Sequence, residues 1–339
     1  MGLLYDLSTK YKTLSIVGMA KNAGKTTALN YLIEEAMDEG IRLGVTSAGR
    51  DGETQDLVTG TEKPRVYLEQ DTIVSVPAQL YDLADAGLEI IKKTPYSTSI
   101  GDLLLCRVAD SGYVQIAGPV AAAETRKLCE DMFHLGCQMV LIDGAIDRRS
   151  IASPETSEAV VLATGAVLSR NMKKVVEKTA HVVGLYSLPE LDAPVIREGI
   201  QKDGNEDKIL LIQKDGEFKP LPLKTGLGAG RFIDDAIKDT TEYVYIPGAF
   251  TSSMIGEISP GRLRQVRFLL KDPTKIFIGP TDWAMLRKRG FCAEVLRHIC
   301  VAAITVNPWS PEGYSFESES LVGALREAIP EIQILDVRM

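Results

Sequence analysis

Residues 14–29 read LSIVGMAKNAGKTTAL, and the character of the sequence changes twice within this stretch. The apolar run at 14–17 predicts a strand, small and turn-forming residues follow it, and from Thr27 apolar residues recur at helical spacing until Gly40. Residues 43–46 predict a second strand. Strand, helix and strand in this order form a βαβ unit, which requires a right-handed crossover and parallel strands.

The turn itself, residues 18–27 with the sequence GMAKNAGKTT, has the composition of a phosphate-binding loop. A polyphosphate needs many hydrogen-bond donors in a small volume, and consecutive amides at a helix N-terminus supply them together with the positive end of the helix dipole. Gly24 lets the backbone approach closely, Lys25 can reach the β and γ phosphates, and Thr26 can place its hydroxyl on Mg²⁺. We therefore predict that ATP and Mg²⁺ bind through Gly18, Lys21, Asn22, Ala23, Gly24, Lys25, Thr26 and Thr27.

The loop departs from the usual phosphate-loop spacing in one respect. That pattern has four residues between its two glycines, whereas five separate Gly18 from Gly24, and Met19 stands where the first glycine is expected. A helix start that merely contains glycine and lysine is the alternative. Lys21 also has two interpretations, a solvated surface lysine or the extra lysine of the dimerising ATPases related to the cell-division and nitrogenase iron proteins. We favour the surface lysine, because Lys21 lies four residues before the loop lysine and that family has it five before.

An acidic residue, Asp143, follows the strand predicted at 139–142. Asp143 has the place of a carboxylate that orients Mg²⁺ directly or through water, and a plain Asp-Gly turn is the alternative. Asp147, Arg148 and Arg149 come shortly after it, at the carboxyl edge of the predicted sheet where open α/β folds bind ligands. The arginines would neutralise phosphate charge there, or form a solvated cluster or a subunit contact.

The end of the second strand, residues 47–53, is predicted to lie near the same loop. Asp51 or Glu53 would orient an attacking water or Mg²⁺, and Arg50 would also face the γ-phosphate. Turn chemistry explains all three residues equally well. The predicted catalytic set is Lys25, Asp51, Glu53 and Asp143, with Thr26 and Asp143 as the magnesium ligands.

The composition restricts the class of protein. A formal net charge of −8 argues against nonspecific binding of nucleic acid or of anionic membranes, because both require a basic surface. The N-terminus has no signal-peptide pattern and no apolar run reaches the ~18–20 residues of a membrane helix, so we expect a cytoplasmic protein. The five cysteines include no CxxC pair and are expected to be buried apolar residues, and the three histidines have no ligand spacing and receive no role.

Strands alternate with helices along most of the chain, which indicates a doubly wound, mostly parallel α/β sheet. The runs at 208–213 and 218–223 flank a turn and predict a β-hairpin excursion. We predict a nucleotide-binding domain at 1–190, the excursion or linker at 191–235 and a C-terminal α/β domain at 236–339. The other predicted strands are 65–68, 113–116, 139–142, 159–163, 181–186, 243–246, 275–278, 302–306 and 332–337, and the other predicted helices are 78–92, 124–135 and 171–177.

Three C-terminal segments follow predicted strands: PGAFTSS at 247–253, GPTDW at 279–283 and VNPWSPEGYSF at 306–316. Glycine, proline and hydroxyl residues at a carboxyl strand edge are expected where a second ligand or a protein partner binds. Turn chemistry alone is the alternative. Their aromatic residues form either an exposed apolar patch or part of the core.

Four segments together resemble a family from clostridial-type amino-acid fermentation clusters: SIVGMAKNAGKTTALNYL, GVTSAGRDGE, LIDGAIDRRS and VNPWSPEGYSF. Members of that family are regarded as reactivating factors, ATP-dependent chaperones that exchange damaged cofactor in the cobalamin-dependent lysine and ornithine aminomutases. The resemblance spans nearly the whole chain. The N-terminal half is more broadly similar to the phosphate-loop (P-loop NTPase) group that includes dethiobiotin synthetase and metal-insertion GTPases, and the lack of an NKxD pattern favours ATP over GTP.

Three functions remain open at this point. The first is an ATPase that couples its nucleotide state to a partner, which would be a cobalamin-dependent aminomutase or a companion subunit, and a homo-oligomer of the chain is also open. The second is a small-molecule kinase or ATP-dependent ligase whose C-terminal loops hold the acceptor. The third is a nucleotide-binding regulator without catalytic activity.

Overall fold

The computed structural model describes residues 2–48, 65–98, 100–144, 155–202, 204–223 and 228–338. The chain forms two compact units, Met1–Ala180 with Cys300–Met339, and His181–Ile299. Each unit has its own sheet and its own hydrophobic core. Within the described ranges, no helix is both long and apolar enough to cross a membrane.

The α-helices range from five to fifteen residues in length. Short 3-10 helices lie at Ala78–Leu83, Ala166–Leu168 and Pro273–Lys275. In chain order the α-helices are α1 (Leu3–Ser8), α2 (Lys25–Asp38), α3 (Ala122–His134), α4 (Met172–Tyr186), α5 (Pro194–Gln201), α6 (Ala229–Ala236), α7 (Ser252–Gly256), α8 (Pro260–Gln265), α9 (Pro280–Lys288) and α10 (Ser318–Ala328).

The described strands range from two to twelve residues in length. They are β1 (Thr13–Gly18), β2 (Leu43–Ala48), β3 (Val66–Leu68), β4 (Ile73–Pro77), β5 (Gly87–Thr98), β6 (Gly101–Asp110), β7 (Gly112–Val114), β8 (Met139–Gly144), β9 (Ala159–Gly165), β10 (Leu210–Gln213), β11 (Phe218–Pro220), β12 (Thr241–Ile246), β13 (Phe250–Thr251), β14 (Arg267–Leu270), β15 (Ile276–Phe277), β16 (Cys292–Val295), β17 (Val301–Asn307), β18 (Trp309–Ser310), β19 (Tyr314–Ser315) and β20 (Gln333–Leu335).

The first unit contains a nine-stranded sheet in the order β20-β17-β9-β1-β8-β2-β4-β6-β5. The strands from β20 to β4 pair in parallel. β6 and β5 continue the sheet in the antiparallel sense. The prediction of a mixed α/β fold with a large, mostly parallel sheet is confirmed.

The unit of β1 and α2 forms because both elements bury apolar side chains in the same core. Residues 14–17 of β1 are all buried. The buried residues of α2 recur three or four positions apart, as one face of a helix requires. They are Ala28, Leu29, Leu32, Ile33 and Ala36.

Leu32 has no exposed surface, and we expect Leu32→Ala to lower the free energy of unfolding by about 2–5 kcal/mol. The substitution removes buried methyl groups and leaves a cavity between α2 and the sheet. Met37 lies on the same helix but is 46% exposed, so Met37→Ala is expected to change stability by less than about 1 kcal/mol. Urea denaturation of both variants measures the difference, and equal losses would contradict the assigned burial.

The helix predicted at 78–92 is wrong, because a 3-10 helix ends at Leu83 and β5 begins at Gly87. β5 and β6 form a long antiparallel hairpin at the edge of the large sheet. Most residues of β5 are exposed or half-buried, since the strand is bordered on one side only. Its sequence therefore lacks the alternation that identifies a strand with one buried face.

The strand predicted at 181–186 is also wrong, because α4 continues through this segment. Val175, Thr179 and Val183 are buried and lie four residues apart, which is the period of a helix. The β-branched pair at 182–183 favours a strand locally, but the helical burial pattern decides the outcome.

The C-terminal part of the chain returns to the first unit, where β17 pairs with β9 and β20 pairs with β17. The compact units therefore differ from the predicted division into 1–190, 191–235 and 236–339. The predicted boundaries follow local changes in the content of charged residues, proline and glycine. Such changes carry no information about pairing between strands that are distant in sequence.

The second unit contains a five-stranded sheet in the order β11-β10-β12-β14-β16. β12, β14 and β16 pair in parallel, and β10 pairs in the antiparallel sense with both β12 and β11. The predicted hairpin is confirmed, although it continues this sheet instead of standing apart from it. Phe250, Phe268 and Phe291 pack in the core with ring centroids 5.1–5.8 Å apart.

Candidate functional site

The loop between β1 and α2 lies where the strand order of the large sheet reverses. From β1 the chain adds β2 and β4 on one side of the sheet, whereas β9, β17 and β20 extend it on the other. These strands are parallel, so their carboxyl ends share one edge. Open α/β sheets bind ligands outside the carboxyl ends of the strands at such a reversal. The loop is therefore placed where a ligand site is expected.

Backbone geometry turns the chain sharply from β1 into α2. The amide of Met19 donates to the carbonyl of Ala163 in β9 at 2.9 Å. Gly24 has φ +97° and Asn22 has φ +64°, in the left-handed region that glycine adopts freely and asparagine tolerates. Lys21 and Asn22 are exposed, whereas Gly18 is buried at the end of β1.

The first turn of α2 presents a row of backbone amides at this edge. Among the described residues, none accepts a hydrogen bond from the amides of Gly24, Lys25, Thr26 or Thr27, and no side chain caps the helix. All four residues are partly exposed, and the first turn contains no acidic residue. Amides of this kind, together with the positive end of the helix dipole, form a geometry that binds anions.

Lys25 and Asp143 form an ion pair next to these amides. The Nζ of Lys25 lies 2.5 Å from Oδ1 of Asp143, and the two side chains are 13% and 17% exposed. Asp143 is brought there by β8, where it stands beside Ile16 of β1 and Ser47 of β2. The Oγ of Ser47 donates to the carbonyl of Asp143 at 3.1 Å. The two residues predicted to carry opposite charges at the site are thus in contact.

Thr26 and Asp143 are the predicted magnesium ligands. Thr26 lies in the first turn of α2 beside Lys25, and Asp143 contacts Lys25 directly. Within the described ranges, no group of three or more His, Cys, Asp or Glu side chains is arranged to hold a metal ion. Mg²⁺ prefers oxygen ligands and usually binds through one or two carboxylates, waters and substrate phosphates. A hydroxyl and a carboxylate are oxygen donors of the kind that Mg²⁺ uses, and a magnesium site at Thr26 and Asp143 stays a prediction.

Asn307, at the end of β17, holds the loop from a second strand. Its Nδ2 donates to the carbonyl of Asn22 at 3.0 Å, and its Oδ1 accepts the amide of Trp309 at 3.2 Å. A Cβ added to Gly24 would lie 3.0 Å from the Cβ of Asn307. The sequence placed this segment at a strand edge, but its contact with the loop depends on the pairing of β17 with β9, which the sequence pattern does not reveal.

Several predicted site residues lie outside the described residues. The segments that contain them directly follow β2 and β8, whose carboxyl ends lie at the edge that carries the loop. The assignment of Asp51 or Glu53 to orient water or Mg²⁺ stays a prediction. The residues concerned are Arg50, Asp51, Glu53, Asp147, Arg148 and Arg149.

The three C-terminal segments belong to different units. Residues 306–316 are part of the first unit, and 247–253 and 279–283 are part of the second. Within the second unit, the Oγ of Ser252 donates to a carboxylate oxygen of Asp282 at 2.9 Å. This contact brings the two segments of that unit together, and a ligand there stays a prediction.

The aromatic residues of these segments have different environments. Trp283 packs edge-on against Phe291 in the core of the second unit, with centroids 5.5 Å apart. Trp309 is 49% exposed in the first unit. The guanidinium of Arg170 lies 5.2 Å from the centre of the Tyr314 ring. Core packing therefore explains Trp283, whereas Trp309 is a surface residue.

The expectation that the cysteines are buried apolar residues is confirmed for three of the five and is wrong for Cys292. Cys106, Cys129 and Cys137 are buried, and this burial raises the pKa of their thiols to about 11, about 12 and about 11. Cys292 is exposed, and the Sγ of Cys300 lies 3.1 Å from the hydroxyl of Tyr11. The buried thiols stay protonated at neutral pH and lack the reactive thiolate form.

We expect a disulfide-based thiol reagent to label Cys292 first in the folded protein, because it is exposed. The three buried thiols should react only after unfolding, since burial both excludes the reagent and raises the thiol pKa. Absorbance of the released thiol measures each phase. Cys292→Ser should remove the fast phase, and fast labelling of the buried thiols would contradict their environment.

Comparison of the chain with known proteins identifies no relative. The family resemblance described above therefore stays a prediction. No protein-family model matches the chain, and neither the curated proteins nor the solved structures contain a significant match.

Proposed function

We propose that this protein binds MgATP in the loop between β1 and α2 and is an ATPase that couples its nucleotide state to a partner protein. One observation carries the proposal: the amides of the first turn of α2, which have no acceptor in the described part of the chain, lie beside the Lys25–Asp143 ion pair. Donors, a cation and a carboxylate in one small region are what a metal-bound polyphosphate requires. The reversal of strand order at β1 supports a doubly wound, phosphate-loop architecture.

The residues have the following roles in this proposal. Lys25 and the amides of the first turn hold the phosphate oxygens, and Thr26 and Asp143 hold Mg²⁺. Magnesium, when bound, neutralises phosphate charge and so favours phosphoryl transfer. Lys25 and Asp143 are paired in the structure. When MgATP binds in this proposal, Lys25 exchanges the carboxylate for phosphate oxygens and Asp143 exchanges the ammonium group for Mg²⁺.

Hydrolysis then requires positioning and charge neutralisation more than covalent chemistry by the protein. The amides and Lys25 are held by α2 and β1, which are anchored in the core. Asp51 or Glu53, after β2, is proposed to orient the attacking water.

The resemblance to reactivating factors supports the choice of partner. We propose that the partner is a cobalamin-dependent aminomutase from which nucleotide turnover releases damaged cofactor. In this role, ATP and its hydrolysis product would favour different conformations of the protein, and the partner would bind one of these conformations more tightly. Such coupling requires that each ligand has different affinities for the two conformations.

Binding is tested first, by calorimetric titration with MgATP, AMP and adenosine. The proposal requires the affinity to rise with the number of phosphates, because the donors of the loop contact phosphate oxygens. Equal affinities for adenosine and MgATP would contradict the assigned loop.

Turnover is tested next by incubating the protein with MgATP alone, with a metabolite pool and with an inactivated aminomutase. Phosphate release stimulated only by the aminomutase supports the proposal. A phosphorylated metabolite would instead identify a kinase. Binding without turnover in all three incubations would identify a regulator.

A further inference from the structure

We propose a second binding site, for a small organic ammonium ion with an apolar body, at the opposite end of α2 from the loop. A cavity of about 450 Å³ lies there, within the size of small-molecule sites. It is bounded by the last turn of α2, the start of β2, the turn before β4 and the turn between β6 and β7. This proposal does not depend on nucleotide binding.

One wall of the cavity is apolar. Met37 exposes 46% of its surface and Ile41 is half-buried, and the buried side chains of Ile33, Ala36 and Leu43 lie behind them. Methionine is flexible and polarizable, so it adapts to different apolar groups. This wall favours the organic body of a ligand.

The opposite wall is polar and acidic. Its carboxylates belong to Glu69 and Asp71, and ordered turns hold both. The Oγ of Ser111 donates to Oε2 of Glu69 at 2.5 Å and accepts the amide of Gln70 at 3.0 Å. Asp71 has φ +69°, and its amide donates to the carbonyl of Val108 at 2.8 Å. In the described part of the chain, neither carboxylate forms an ion pair.

The arginine that borders the cavity is directed elsewhere. A Cβ added to Gly136 would lie 3.3 Å from a guanidinium nitrogen of Arg42, which places that group at the end of α3. The last turn of α2 contains no basic residue, and the exposed residues Asp38 and Glu39 add negative charge at that end. The carboxyl end of a helix also favours cations.

These features select the chemical class of the ligand. An ammonium group donates several hydrogen bonds, which the carboxylates of Glu69 and Asp71 and the hydroxyl of Ser111 can accept. The apolar wall covers the rest of the molecule. A carboxylate of the same size would meet two like charges.

Phenethylamine is the probe for the test, with phenethyl alcohol and hydrocinnamate as its neutral and anionic counterparts. Calorimetry and ligand-observed NMR should show saturable binding of the amine at millimolar concentration, weaker binding of the alcohol and none of the carboxylate. No saturable binding of the amine, or equal binding of amine and carboxylate, would overturn the proposal.

Variants locate the binding. The double variant Glu69→Gln with Asp71→Asn keeps the shape of both side chains, and asparagine tolerates the positive φ of residue 71. Its affinity for phenethylamine should fall by about tenfold or more, as two charge-assisted contacts are weakened. Met37→Lys should abolish binding, because it places an ammonium group on the apolar wall.

The matched control is Asp207→Asn with Glu331→Gln, which makes the same change in net charge at exposed residues that do not line the cavity. This control should bind phenethylamine like the unmodified protein. Wild-type affinity in the Glu69→Gln, Asp71→Asn variant, or equal losses in it and the control, would show that the cavity is not the site.

Discussion

Replacing Lys25 with alanine is expected to weaken the binding of MgATP by about 100-fold, which corresponds to roughly 2.7 kcal/mol. The ammonium group lies 2.5 Å from Asp143 and is held at the start of α2 with little exposure, so its position is defined before the nucleotide binds. The variant loses charge-assisted contacts to the phosphates. It also leaves the carboxylate of Asp143 without its partner cation, facing the negative charge of the nucleotide. Calorimetric titration measures the affinity.

Two other lysines provide the controls. Lys10 is exposed after α1, and Lys10→Ala should leave the affinity unchanged. Lys21→Ala separates the two interpretations of that residue, since only a signature lysine would contribute to phosphate binding through its side chain. Thermal unfolding of each variant should confirm that it is folded. An unchanged affinity in folded Lys25→Ala would contradict the proposed loop.

The first βαβ unit was predictable because its signals are local. The strand predicted at 14–17 corresponds to β1, and the helix that ends before Gly40 corresponds to α2. Both elements follow from apolar periodicity and from the glycines at their ends. The strand before Asp143 was predictable for the same reason, as residues 139–142 of β8 form a continuous buried run.

The contacts between these elements were less accessible from the sequence. Lys25 was predicted to bind the phosphates and Asp143 the Mg²⁺ of the same nucleotide. Their 2.5 Å contact, however, depends on β8 pairing directly with β1. Asn307 reaches the loop only because β17 returns to the first unit beside β9. Such pairing is set by the burial of both sheet faces across the whole chain, and no local pattern encodes it.

The second large effect is expected at Gly24, where alanine should weaken MgATP binding by about 10- to 30-fold. Gly24 has φ +97°, a conformation that costs an L-residue roughly 1–2 kcal/mol. A Cβ there would also lie 3.0 Å from the Cβ of Asn307, tighter than normal contact. The loop of the variant can shift to relieve the unfavourable φ and the close Cβ contact. Nucleotide binding must then restore the original loop conformation at the cost of this strain. Calorimetry measures the affinity for MgATP, and urea denaturation measures the free energy of unfolding.

Gly40, at the other end of α2, is the matched control for this substitution. Its φ is +66° and no atom lies within 4 Å of an added Cβ, so Gly40→Ala should lower stability by about 1 kcal/mol and leave the affinity for MgATP unchanged. The contact with Asn307 is tested in the Gly24→Ala background by adding Asn307→Gly or Asn307→Ala. Both remove the hydrogen bond to Asn22, but only glycine removes the Cβ. Affinity should therefore recover more with glycine than with alanine, and equal recovery would mean that the backbone conformation alone accounts for the effect.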